Sequence, residues 1–139
     1  MSSTFQNIQI PAPFQNDMLF EDFTKHYFNE LHKTTSYSLF GRNGQNQAGI
    51  DVISFDKKVA IQCKLRVINN QNDKTIKRNL IIELKKDFKS FLIYIKENNL
   101  PFNKYIFAST YKDDVDIITE CFKLSQEHGV SVEYCVILP

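Results

Sequence analysis

Several familiar signposts are missing from this 139-residue chain. No run approaches the ~20 consecutive apolar residues that a membrane-spanning helix needs. The opening MSSTFQNIQIPAPFQND has neither the basic start nor the apolar stretch of a secretion signal, so a cytoplasmic location is expected. Cys63, Cys121 and Cys135 show no CxxC or CxxH spacing, which argues against a structural zinc site and for reduced, buried thiols. His26, His32 and His128 likewise lack ligand spacing. Internal repeats, low-complexity tracts and Gly/Ser linkers are absent too. What remains is 42% hydrophobic, enough for a core and too much for long-range disorder. The length suits one domain. Residues 1–16, with Pro11 and Pro13, read as an extended N-terminal arm, and residues 17–139 as a single folded domain.

Net charge is only +1, but it is unevenly spread. Residues 1–55 hold three basic and five acidic groups, residues 56–111 hold twelve and five, and residues 112–139 hold two and six. A basic middle between acidic ends can follow a phosphate backbone, and it can equally be the solvated face of a lysine-rich helix. Lys85, Lys86 and Lys89 read as such a face.

Leu19, Phe20, Phe23, Tyr27 and Leu31 recur at helical spacing behind a capping Asn16 or Asp17, which predicts a helix from Asp17 to about residue 33. Tyr27 and Phe28 read as core. Three strands follow at 36–40, 49–55 and 58–65, rich in β-branched residues. Residues 66–78 are polar and read as loop. A long helix is predicted over 79–98 with Leu80, Leu84, Phe88, Phe91, Leu92 and Ile95 as its apolar stripe. A strand at 104–110, a helix at 113–128 closed by Gly129, and a strand at 130–138 complete the order α-β-β-β-α-β-α-β. That order predicts an α/β fold with a mixed central sheet covered by helices on both faces.

Within this frame, GRNGQNQAGIDVISFDKKVAIQCK (41–64) is unusual. Strand alternation puts Val59, Ile61, Cys63 and Leu65 on one apolar face and Ala60, Gln62 and Lys64 on the other. A hairpin turning at Asp56–Lys57 sets Ser54 opposite Val59 and Asp51 opposite Gln62, with directly paired side chains roughly 5 Å apart. Acid, amide and amine on one patch suit metal-assisted attack on a phosphodiester. Asp51 would bind a hard cation such as Mg²⁺, with the Gln62 amide oxygen and the Cys63 carbonyl as neutral ligands. Lys64 would polarise the attacking water or stabilise developing charge. One carboxylate makes a weak Mg²⁺ site. Glu21 is the best candidate for a second acid, with Asp22 and Glu30 as alternatives.

The string GRNGQNQAGID…VAIQCK resembles the catalytic core of the PD-(D/E)XK nuclease superfamily, in its Mrr-like restriction endonuclease branch. It is similar in particular to nuclease domains attached to bacterial anti-phage defence proteins. The resemblance covers about residues 17–138 and implies a restriction-endonuclease-like fold. It implies Asp51 as the metal-binding acid, Gln62 at the D/E position, Lys64 as the catalytic lysine and Glu21, in FEDF, as the helix acid. Ile50 stands where the superfamily pattern has proline. Gln62 stands where it has a carboxylate, which favours one Mg²⁺, replaceable by Mn²⁺, over two. Arg42, Gln45 and Gln47 before Asp51, and Arg66, Lys77 and Arg78 after Lys64, are the expected contacts to nucleic acid.

The expectation is therefore a Mg²⁺-dependent endonuclease of double-stranded DNA, active as a homodimer or higher assembly and fused to or associated with a sensor or NTPase module. The chain stops at VILP directly after a strand, and a regulatory domain beyond it is expected. The alternatives are an inactive nucleic-acid-binding or interaction module of the same fold, and a structure-selective nuclease of the junction-resolvase type.

Overall fold

A computed structural model describes residues 16–41, 48–68 and 72–138. The elements come in the predicted order: α1 (Asp17–Leu31), β1 (Ser38–Leu39), β2 (Val52–Ser54), β3 (Val59–Lys64), α2 (Asp73–Glu97), β4 (Lys104–Ser109), α3 (Val115–His128) and β5 (Ser131–Val136). The arm falls almost wholly outside the described residues, as do Arg42, Gln45 and Gln47.

The five strands form one open sheet in the order β1-β2-β3-β4-β5. β1, β2 and β3 are antiparallel neighbours, with a four-residue turn between β2 and β3. The two connections long enough to hold a helix make β3, β4 and β5 parallel. Helices cover both faces, as expected. On one face Ile53, Ala60, Tyr105 and Phe107 pack against Leu80, Leu84, Phe88 and Phe91 of α2 and Ile117 and Cys121 of α3. On the other, Val52, Val59, Ile61, Ile106 and Ala108 receive Phe20 and Phe28 of α1. Each large side chain so buried contributes about 1.5–3 kcal/mol.

Two expectations about the helices need correction. In α1 the buried positions are Phe20, Thr24 and Phe28. Leu19, Phe23, Tyr27 and Leu31, predicted to share the core-facing stripe, are exposed, Leu31 at 55%. Thr24 takes a core position because its hydroxyl donates to the Phe20 carbonyl one turn back, at 2.8 Å, and so leaves no unmet donor. The second correction concerns α2, which begins at Asp73 and not near residue 79. Its polar first turns are fixed from outside the helix: Tyr111 donates its hydroxyl to Asp73 Oδ1 at 2.7 Å, and only Ile76 turns inward.

The β2–β3 register is the one the hairpin reading predicts, with Val52 opposite Ile61, Ile53 opposite Ala60 and Ser54 opposite Val59. The expected placement of Asp51 opposite Gln62 is not met, because strict alternation ends at Asp51. Its N–H donates to the Ile61 carbonyl, so Asp51 and Val52 both address Ile61. Ile50 consequently shares the core cluster of Ile53 and not that of Val52. This is the behaviour of a β-bulge, which re-aims one side chain. Just before it, Gly49 has φ +72° and lies against the backbone of α2, where a Cβ would overlap the Asp87 carbonyl oxygen. Tyr105 pins the same residue by donating to its carbonyl at 2.8 Å.

Gly129, the left-handed cap of α3 at φ +69°, has open space around it. The two glycines thus separate backbone strain from steric overlap. Gly129→Ala should cost only the conformational penalty of about 1–2 kcal/mol. Gly49→Ala should cost at least about 1 kcal/mol more, because α2 or the loop must shift as well. Denaturant unfolding of both variants against the parent checks this, and equal costs would contradict the packing described.

Candidate active site

Two groups of side chains meet at the junction of β2, β3 and the helices on either face. The first is acidic. Asp51, at 6% exposure, is buried, and its Oδ2 accepts the Cys63 N–H at 2.8 Å. The bulge turns this carboxylate toward the β3 backbone. Glu21 reaches it from α1, close enough for a protonated Glu21 to donate a hydrogen bond to Asp51. Burial, and then the Asp51 charge, push Glu21 up to about 7. Asp51 is pushed up to about 6, mainly by burial, while the Cys63 N–H and the Lys64 charge act in the opposite sense. Glu21 is thus raised by its neighbour as well as by burial, whereas the charges that add to the burial of Asp51 are those of Asp87 and Asp17.

Of the other acids considered on α1, Asp22 pairs with Lys25 at 3.3 Å and with His26 at 3.6 Å, and Glu30 is exposed. Glu21 is the acid that the fold brings to Asp51. Cys63 itself is half-buried, and burial followed by the Asp51 charge pushes its thiol well above the ordinary range.

The second group surrounds Lys64. Its ammonium lies 2.8 Å from Asp87 Oδ2 and 3.0 Å from Glu83 Oε1, two carboxylates one turn apart on α2. Burial opposes the charged form, but these two acids more than offset it and hold Lys64 above the usual lysine value. Gln62 donates from Nε2 to the same Asp87 Oδ2 at 3.1 Å. Its other amide atom, Oε1, is buried and has no hydrogen-bond partner among the described residues. Glu83 Oε1 also accepts from Arg66 Nη2 at 2.6 Å, and Thr110 Oγ1 bonds both the Arg66 N–H and its carbonyl.

Glu83 and Asp87 were not foreseen from the sequence. The signal was there in the form of two acids four residues apart, bordering the buried stripe of a helix otherwise rich in lysine. Among the expected nucleic-acid contacts, Arg66 is tied to Glu83, Lys77 pairs with Asp114 at 3.2 Å and with Asp116, and Arg78 is exposed. Lys85 lies 3.7 Å from Glu120. A wide groove of about 670 Å³ between the end of α2 and Pro101, Val130 and His128 contains none of these acids.

Glu21, Asp51, Glu83 and Asp87 stand against Lys64 and Arg66, so the ionised cluster carries two more negative than positive charges. Among the described residues, the site oxygens without an ion-pair partner are the Asp51 and Glu21 carboxyls and Gln62 Oε1. Such a set suits Mg²⁺, which keeps several waters and takes one or two carboxylates from the protein. Among the described residues no three His, Cys, Asp or Glu side chains converge on one metal position. No protein-family model, curated protein or solved structure matches this chain.

The raised carboxyls give stability a definite pH dependence. Both folded-state values lie above the ordinary 4.5 and 3.8, so between about pH 4 and 7 the folded chain binds more protons than the unfolded one. This pair therefore favours folding at low pH and loses that contribution as pH rises through about 6 and 7. Glu21→Gln removes one of the two charges. Its melting temperature in EDTA should gain a few degrees on the parent between pH 5 and pH 8, as read by scanning calorimetry. A constant difference over that range would mean that the fold does not raise Glu21.

Proposed function

We propose that this domain is a Mg²⁺-dependent nuclease of the PD-(D/E)XK type, hydrolysing phosphodiester bonds of double-stranded DNA. The observation that carries the reading is the Asp51–Glu21 carboxyl pair, delivered by a bulge on one side and a helix on the other, beside the ammonium of Lys64. A buried pair of like charges is costly to the fold. A site that binds a cation gives that cost a purpose, and the two-charge surplus of the cluster equals the charge of one divalent ion. The sequence resemblance over about residues 17–138 points the same way.

Bound there, Mg²⁺ would hold a phosphate oxygen and acidify a water molecule. The chain's own residues define the rest. Asp51 and Glu21 would hold the cation, and Gln62 Oε1 is the buried neutral oxygen that could join them. Lys64, kept as an ammonium by Asp87 and Glu83, acts as a donor to charge developing on the phosphate and not as a base. Water is the nucleophile, so no covalent intermediate with the protein forms. Two strands require two such sites, which is the ground for a dimer on DNA.

One observation favours a second reading. The Lys64–Asp87–Glu83–Arg66 network is complete within the protein, so it also suits a domain of this fold that binds nucleic acid or a partner without cutting. Supercoiled plasmid incubated with micromolar protein and Mg²⁺, Mn²⁺ or EDTA separates the two. The nuclease reading expects metal-dependent nicking or linearisation that Asp51→Ala and Lys64→Ala each reduce at least a hundredfold. Cleavage that survives both substitutions removes these residues from the chemistry. Absence of cleavage, even by artificially dimerised protein, supports the binding module.

A further inference from the structure

Gln62 and Lys64 meet on one oxygen. Asp87 Oδ2 accepts from Gln62 Nε2 at 3.1 Å and from Lys64 Nζ at 2.8 Å, while Glu83 takes a second position around the same ammonium. The amide of glutamine has one donor end and one acceptor end. With Nε2 committed to Asp87, the end left buried and without a partner among the described residues is Oε1. From this geometry we infer that Asp87 is the positioning residue of the site. It orients the Gln62 amide with its oxygen free for a cation, and it fixes Lys64 beside that oxygen.

The inference rests on the cation-binding reading above and assigns a task to a helix residue that touches neither cation nor substrate. It also explains why an amide at position 62 is compatible with this fold. A carboxylate there would face Asp87 across about 3 Å with no proton between them, in a cluster that already carries surplus negative charge. The amide keeps an oxygen for the cation and uses its other end to bind the acid.

The backbone secures the same placement. Gly49 presses on the α2 backbone at Asp87, two residues before Asp51. Leu84 and Phe88, on either side of Asp87, are buried in the core, so the turn carrying the carboxylate cannot rotate away.

The test uses isotope-labelled protein over residues 1–139 and reads the Gln62 side-chain amide by ¹⁵N relaxation, with Mn²⁺ affinity by calorimetric titration. In the unaltered protein the Gln62 amide should be ordered like backbone, unlike exposed glutamines such as Gln126. Asp87→Ala should set it moving and weaken Mn²⁺ binding by about 10- to 100-fold, the usual effect of losing a residue that orients a ligand. Asp87→Asn still offers an acceptor to Gln62 and should keep both properties within a few fold of the parent. A mobile Gln62 amide in the unaltered protein overturns the inference even if no variant folds. So does a folded Asp87→Ala with parental amide order and Mn²⁺ affinity. If the unaltered protein binds no Mn²⁺ while its Gln62 amide is ordered through Asp87, it is the cation-binding reading that falls.

Discussion

An ammonium group at the end of a central strand has to be answered by carboxylates, and Lys64 is answered twice. Leaving such a charge partly buried and unpaired would cost several kcal/mol, a large share of what keeps a domain of this size folded. Glu83 and Asp87 remove that cost from a single turn of α2. Because they are fixed to one helix, the ion pairs also choose its rotation on the sheet. The turn that reaches Lys64 carries Leu84 and Phe88 into the core, so electrostatic and apolar requirements select the same orientation.

Across β3 the balance is reversed. Asp51 and Glu21 have no ion-pair partner among the described residues, and burial, with Asp51 acting on Glu21, holds the carboxyls near 6 and 7. A short stretch of sheet thus separates a satisfied ion cluster from a frustrated acid pair. The amide of Gln62 is bonded to the first through Nε2 and keeps its oxygen uncommitted. Stability alone does not require that asymmetry. A pair of apolar residues at 21 and 51 would fill the space without the repulsion, and the proposed cation is what would make the acids worth keeping.

Much of this was legible beforehand because it depends on local pattern. The eight elements and their order follow from periodicity and turn residues, and the β2–β3 register follows from a hairpin with little freedom in its loop. The approach of Glu21 to Asp51 was legible as a candidate. What failed was governed by tertiary contact. The outer stripe of α1 has the same helical spacing as the inner one, and spacing alone does not say which of two apolar faces meets the sheet. The first turns of α2 look like loop because the group that anchors them, the Tyr111 hydroxyl, is 38 residues away in sequence. The bulge at Asp51 has no signature in the composition around it. Glu83 and Asp87 were concealed by the lysines between and beside them, which made the whole helix face look solvated.

The contact between Gly49 and the backbone of Asp87 adds a direct backbone link between the loop before β2 and α2. The loop delivers Asp51, and the helix turn delivers Asp87 and, through it, Gln62 and Lys64. With no side chain at residue 49 to act as a cushion, sliding of α2 along its axis is transmitted to the acid as well as to the amine. Acid and amine therefore behave as one rigid assembly. Anything that grips the outer surface of α2, far from the sheet, has a mechanical lever on both at once.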